Sequence, residues 1–301
     1  MLIRHRTTAR SILLALLVAG SLAGPSAASA AVPKLAFPVV GPVTYTNDYG
    51  DPRGGGWHQG NDLMGKRRQP VVAAEPGRVT IYRGSSRAGC MLYLYGASGT
   101  VYYYIHLNDD LTKYDDNRAT DCRVGVAYAP GLKSGMRVRA GHLIGFLGNS
   151  GDARGIQPHL HFEVHPNGGR PVNPYRHLGN ADRLLFARPL GVDQVKLDLM
   201  GKVVKTTEET FSMKVNRVGV TTAEGRSSKR WLGRTITLAH TEETVWKRKL
   251  ADGTMVPAST AKAKPGERVT IWTPWFKPLL RTQRAKPGIL TAERVRLRGE
   301  G

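Results

Sequence analysis

Long apolar runs are almost absent from this 301-residue chain, and so are cysteines, of which there are two. The first scarcity excludes a multi-span membrane protein, because past residue 30 no segment approaches the ~20 consecutive apolar residues that a bilayer core requires. The second excludes a disulfide-dense mini-scaffold and a thiolate zinc finger, since Cys90 and Cys122 lack the short spacing of structural zinc pairs. Acidic residues are also scarce, 23 against 44 lysines and arginines, for a formal net charge of +21. Convincing helix periodicity is missing as well, which excludes a bundle or an α/β sandwich. The chain is not short of core material: 41% of its residues are hydrophobic, so it folds rather than remaining disordered.

The first thirty residues differ from the rest. Arg4, Arg6 and Arg10 make a basic head, Ile12 to Ala23 an apolar stretch too short and too broken by Gly20, Gly24 and Pro25 to span a bilayer, and Ala28-Ser29-Ala30 a small-residue cleavage pattern. Residues 1–30 are expected to be a secretory signal peptide, with the mature protein secreted or associated with the cell wall. In an oxidising compartment Cys90 and Cys122 either pair in a disulfide, which chain-entropy arguments value at ~3–4 kcal/mol, or stay as two buried thiols.

Charge is uneven. Residues 31–181 carry 17 basic and 11 acidic groups, and residues 182–301 carry 24 and 12. An exported basic segment suits anionic cell-wall polymers, export argues against nucleic acid, and solvated surface charge without a partner is the alternative.

Residues 31–180 read as short alternating runs cut by glycine and proline, which predicts an all-β, antiparallel domain. Expected strands include Val71-Ala74, Arg78-Arg83, Cys90-Tyr95, Val101-Leu107, Leu143-Gly148 and His159-Val164. Asn108 to Gly135 is a long irregular stretch with five aspartates, expected to wall a groove. Residues 181–192 read as a linker. Residues 193–301 hold about six further short strands, suggesting a small β-barrel, with an oligomer-binding (OB) topology as one candidate. The tryptophans of this region, among them Trp231, Trp246, Trp272 and Trp275, are core or stacking residues.

Histidine is where chemistry concentrates. On a strand, residues two apart share a face, so His159 and His161 project together while Leu160, Phe162 and Val164 face the core. The same alternation places His106 with Tyr102 and Tyr104. His58 and Asp62 bracket Gly60, which lets the chain curl so that both can meet one ion. Imidazole and carboxylate are zinc ligands, and two short motifs each offer two of them. Glu163 shares the face of His161 and is a candidate to orient it, His165 lies ~7 Å further along, and His142, His177 and His240 have no partner at ligand spacing.

These residues carry a resemblance. His58-x-x-x-Asp62 and Pro158-His159-Leu160-His161-Phe162-Glu163-Val164, with Tyr104-Ile105-His106-Leu107, Gly145-Phe146-Leu147-Gly148 and Pro171-Val172-Asn173-Pro174 between and after them, are similar in order and spacing to the lysostaphin/LytM-type zinc metallopeptidases. The resemblance implies a LytM-type fold and hydrolysis of peptide bonds in bacterial peptidoglycan. By it, Zn2+ is bound by His58, Asp62 and His161 and activates a water, while His106 and His159 are catalytic flanking residues whose individual roles stay open. The stretch after His106 is longer than is usual in that family. The alternative is a non-catalytic member that binds wall or activates a partner enzyme, and a third reading is an adhesin acting through the basic tail.

Overall fold

The computed structural model describes residues 31–298 apart from Lys113 and Thr120, and the side chains of 228–232 are not described; the expected signal peptide lies outside the described residues. The architecture is all-β, and among the described residues the α-helices are two short ones, α1 (Tyr175–Gly179) and α2 (Leu280–Gln283).

The N-terminal part opens with a small hairpin, β1 (Pro52–Arg53) and β2 (Gly56–Trp57). Strands β3 (Asn61–Met64), β4 (Pro70–Val72), β5 (Gly77–Arg83), β6 (Cys90–Gly96), β7 (Val101–Leu107), β8 (Arg137–Val138), β9 (Leu143–Phe146) and β10 (His159–His165) follow. Six of these form an antiparallel sheet in the order β3-β10-β7-β6-β5-β8, and β4 pairs with β9. Alternation assigns one sheet face to the core: Leu160, Phe162, Val164, Tyr102, Tyr104, Leu92 and Leu94 are all essentially inaccessible. Phe162 lies between the rings of Tyr102 and Tyr104 at 5.8 and 5.2 Å. β3 was not expected as a strand. Its edge position hydrogen-bonded to β10 overrides a sequence too short to announce itself.

The stretch after β7 is tied down rather than loose. Cys122 is disulfide-bonded to Cys90 in β6. Arg67 pairs with the fully buried Asp110 and, at 3.1 Å, with Asp115, and Arg154 with the buried Asp109 at 3.1 Å. Ala127, Tyr128 and Ala129 then enter the core.

The C-terminal part comprises β11 (Lys196–Thr206), β12 (Thr210–Thr222), β13 (Gly225–Ala239), β14 (Val245–Lys249), β15 (Met255–Pro257), β16 (Arg268–Trp272) and β17 (Arg294–Arg298), in the order β13-β12-β11-β16-β17-β14-β15. Pairing is antiparallel except between β14 and β17. An isolated parallel bridge, Ala239 to Thr291, ties the end of β13 to the segment entering β17, while β14 and β15 continue the sheet beyond β17. Trp246 packs on Phe211, Trp272 lies on the outer face and Trp275 is exposed.

The two parts share a core. Ala36, Val40 and Val72 cluster with Leu184, Leu185, Phe186 and the apolar face of the C-terminal sheet. The buried Gln283 donates to the carbonyls of Gly141 and Phe186. Residues 184–186, within the segment expected to link the two regions, are therefore buried rather than strung through solvent.

Candidate metal centre

β10 is the central strand of the site. Its antiparallel register with β3 sets His161 directly opposite Asp62, and its other neighbour, β7, sets Ile105 opposite His161 so that His106 follows at the strand end. His58 is brought in by the turn before β3, where its N–H donates to Asp51 and its carbonyl accepts from Gly50. Gly60 does not supply a left-handed curl. Its importance is closeness: a Cβ there would lie 2.5 Å from the Phe162 carbonyl oxygen and 2.9 Å from His161 Nε2.

Three electron-pair donors meet. His58 Nε2 is 2.8 Å from His161 Nδ1 and 3.1 Å from Asp62 Oδ1, and His161 Nδ1 is 3.0 Å from Asp62 Oδ1. The opposite nitrogen of each ring is committed elsewhere. His58 Nδ1 donates to the Asp48 carbonyl at 2.8 Å, and His161 Nε2 to Glu163 Oε1 at 2.9 Å. With those protons spent, the neutral imidazoles turn their lone pairs toward each other and toward the carboxylate. Three acceptors this close require a cation among them, either a proton or a metal, and two histidines with one carboxylate are a donor set that zinc accepts. The other oxygen of Asp62 is engaged by Arg53 Nη2 at 2.9 Å, which leaves Oδ1 for the cluster.

Titration follows from this crowding. Burial opposes ionisation of Asp62, but hydrogen bonds from His161 and His58 hold its carboxyl far below the usual range. Burial likewise disfavours a charged His161, yet Asp62 and Glu163 on its two nitrogens push its pKa up to about 9 when no metal is bound. Glu163 reaches further: its Oε2 accepts from His165 Nε2 at 2.6 Å, and His165 Nδ1 donates to the Gly169 carbonyl at 2.8 Å. Both nitrogens of His165 thus face acceptors, and despite burial its pKa is raised by Glu163 and Gly169. The Tyr103 ring stacks on it at 4.1 Å. His165 lies beyond the three donors, as expected, but Glu163 joins it to them.

His106 stands on the opposite face from the one alternation predicts. Tyr102 and Tyr104 point into the core, and so does Leu107; between them the register with β6 slips and His106 takes a left-handed φ of 62°. That bulge re-aims its ring toward His159 and His161, at centroid distances of 5.0 and 6.0 Å. His106 Nδ1 donates to the Ser150 carbonyl and His159 Nδ1 to the Gln157 carbonyl, so each keeps Nε2 free for chemistry. His159 Nε2 lies 3.8 Å from Asp62 Oδ1, and His106 Nε2 lies 3.7 Å from the exposed Asp152. Burial first, and then the neighbouring His159 and His161, press the His106 pKa down to about 3.

All five residues singled out in the sequence therefore converge. Among the described residues, His58, Asp62 and His161 form the group with ligand atoms close enough to share an ion. His142 and His240 engage backbone groups elsewhere. Sequence reasoning missed Asp48, Arg53 and Asp152: none sits in a recognisable motif, and each reaches the site only through the fold.

Residues 56–174 match peptidase family M23. Over 163 residues, half of this chain, the sequence is 28% identical to the L-Ala--D-Glu endopeptidase of Bacillus subtilis, covering 44% of it. It is 30% identical over 136 residues, 43% of this chain, to the DD-carboxypeptidase/endopeptidase Mpg of Neisseria meningitidis, covering 26% of that protein. The chain thus spans less than half the length of these curated relatives. Among solved structures, the catalytic domain of lysostaphin from Staphylococcus simulans is similar at 25% identity with a TM-score of 0.36, over 46% of this chain and 92% of that one. A zinc-containing peptidase from Vibrio cholerae is similar at 25% identity with a TM-score of 0.34, over 48% and 40%. Sequence motifs, their convergence beside one sheet and the match of residues 56–174 to peptidase family M23 agree that this part of the chain is similar to the lysostaphin/LytM-type peptidases.

Proposed function

We propose that this protein is a secreted, zinc-dependent endopeptidase that hydrolyses peptide bonds in the stem peptides or cross-bridges of bacterial peptidoglycan. The observation that carries this reading is the meeting of three lone pairs, from His58, Asp62 and His161, with each ring oriented by an acceptor on its far nitrogen. Held by His58, Asp62 and His161, zinc would supply a Lewis acid able to make water acidic enough to ionise near neutral pH. The remaining work belongs to the protein. His106 and His159, each held by a backbone carbonyl on Nδ1, offer Nε2 toward the same space. One takes the proton of the attacking water and delivers it to the amine that leaves as the C–N bond breaks, while the other, carrying a proton from solvent on Nε2, donates a hydrogen bond to the developing oxyanion. Asp152 stands 3.7 Å from His106 Nε2, where its carboxylate would stabilise a proton taken up there against the burial that disfavours it.

The hairpin β1–β2, where Trp57 packs edge-on against Tyr49, forms one side of the approach. The strap after His106 forms another. Residues 31–180 are the peptidase unit in this reading, and 193–301 a second, β-rich unit for which a small barrel of OB type is the reading proposed. Its basic surface meets anionic cell-wall polymers. A non-catalytic, wall-binding member of the family is disfavoured by the complete donor set.

The test is digestion of purified sacculi with mass analysis of released fragments, alongside zinc stoichiometry. One zinc per chain, chelator-sensitive peptide release and loss of release in His58→Ala are expected. Intact sacculi after incubation with zinc-loaded protein would overturn the assignment.

A further inference from the structure

We infer that the solvent-facing side of the C-terminal sheet is a docking site for a linear phosphodiester polyanion; this rests on, and deepens, the wall-polymer contact proposed above. Strands β11, β16, β17 and β14 lie side by side, and alternation divides their residues between two faces. One face is core: Leu197, Leu199, Val269, Ile271, Val295 and Leu297 are buried. On the other, the registers set Lys202, Arg268, Arg298 and Lys249 in a single cross-strand row, with Arg296 beside Lys247 in the next.

Like charges directly opposite one another on a sheet repel. Among the described residues no ion pair relieves them. Among the described residues no carboxylate lies within 4.0 Å of any of these six side chains, and the nearest acids on these strands are already taken, Asp198 by Arg226, Glu293 by Lys196 and Glu267 by Arg248. The Arg296 Nε has no acceptor, and burial together with Arg298 and Arg294 lowers the pKa of its guanidinium. Trp272 shares this face, with the guanidiniums of Arg294 and Arg296 at 4.7 and 4.9 Å from its ring. The ring holds both forks in fixed orientation.

This arrangement selects the partner's chemistry. Arg294, Arg296 and Arg298 occupy successive outward positions of β17 about 7 Å apart, so an extended polymer with an anion at every repeat can run along the strand. Guanidinium forks engage phosphate oxygens bidentately. A phosphodiester chain is negative at every repeat and so matches the row of cations that Asp198, already paired with Arg226, leaves unrelieved.

Calorimetric titration of the full chain with poly(glycerol phosphate) tests this, with polyglutamate, a single-stranded oligodeoxynucleotide and phosphatidylglycerol vesicles as competitors. Binding that weakens linearly in log–log form with salt is expected. The R296Q/R298Q double variant should lose at least tenfold in affinity and about 1.4 from the salt slope, roughly 0.7 per lost contact, at an unchanged melting midpoint. R296K/R298K should fall between, keeping the charge and losing the forks. K133Q, on a distant exposed turn, should bind as wild type. His58→Ala should still bind the polymer while failing to release peptides, so this proposal and the peptidase reading fail separately. No binding by the wild type, an equal loss in K133Q, or tighter binding of polyglutamate, DNA or vesicles would overturn it.

Discussion

Glu163 shows how much one side chain decides at the residue scale. It accepts from both His161 and His165, fixing which nitrogen of His161 faces the cluster. Partners of this kind are worth 10–100-fold in metal affinity. Glu163→Gln should therefore weaken zinc binding within that range in a chelator competition, and an unchanged affinity would remove Glu163 from the site. The raised pKa of His161 adds a second expectation. Because its metal-free pKa, about 9, lies above the ordinary histidine value, the ring carries a proton at pH 7 that zinc must displace. Apparent zinc affinity should rise with pH up to about 9 and then flatten, and calorimetry in buffers of different ionisation enthalpy should register about one proton released near pH 7. A buffer-independent enthalpy would contradict it.

At the element scale the governing feature is the strap between β7 and β8. It is long, yet the disulfide to β6, the buried Asp109 and Asp110 and the core residues Ala127 to Ala129 anchor it. Closing a 32-residue separation constrains the unfolded chain by about 3–4 kcal/mol. The Cys90→Ser/Cys122→Ser variant should lose stability of that order in denaturant unfolding and gain protease cleavage between Asn108 and Gly135. Cleavage and midpoint both unchanged would mean that the ion pairs alone hold the strap. The bulge at His106 belongs to this scale as well. A one-residue slip against β6 moves a catalytic candidate from the core face to the site.

For the whole molecule the decisive fact is the shared core. Ala36, Val40 and Val72 pack with Leu184, Leu185, Phe186 and the C-terminal sheet, and Gln283 of the C-terminal part donates to the carbonyls of Gly141 and Phe186. Truncation after residue 192 should therefore expose apolar surface, lowering the melting midpoint of the remaining fragment and promoting association. A fragment that stays monomeric and melts with the intact protein would show the two parts to be independent. Among the described residues no helix is long and apolar enough to cross a membrane.

Sequence alone determined the all-β class, most strands of residues 31–180 and the five residues that converge, because period-2 alternation and short spacings such as His159-Leu160-His161 are local and directly legible. It also exposed the basic bias of the C-terminal region. Tertiary structure alone decided the rest. It set Asp62 opposite His161, turned His106 to the site through a positive φ, brought Asp48, Arg53 and Asp152 from outside any motif, and aligned Lys202, Arg268, Arg298 and Lys249 across four strands. The physical reason is that register between strands, and slips within it, follow from packing and hydrogen bonding over long sequence separations, which no local pattern encodes.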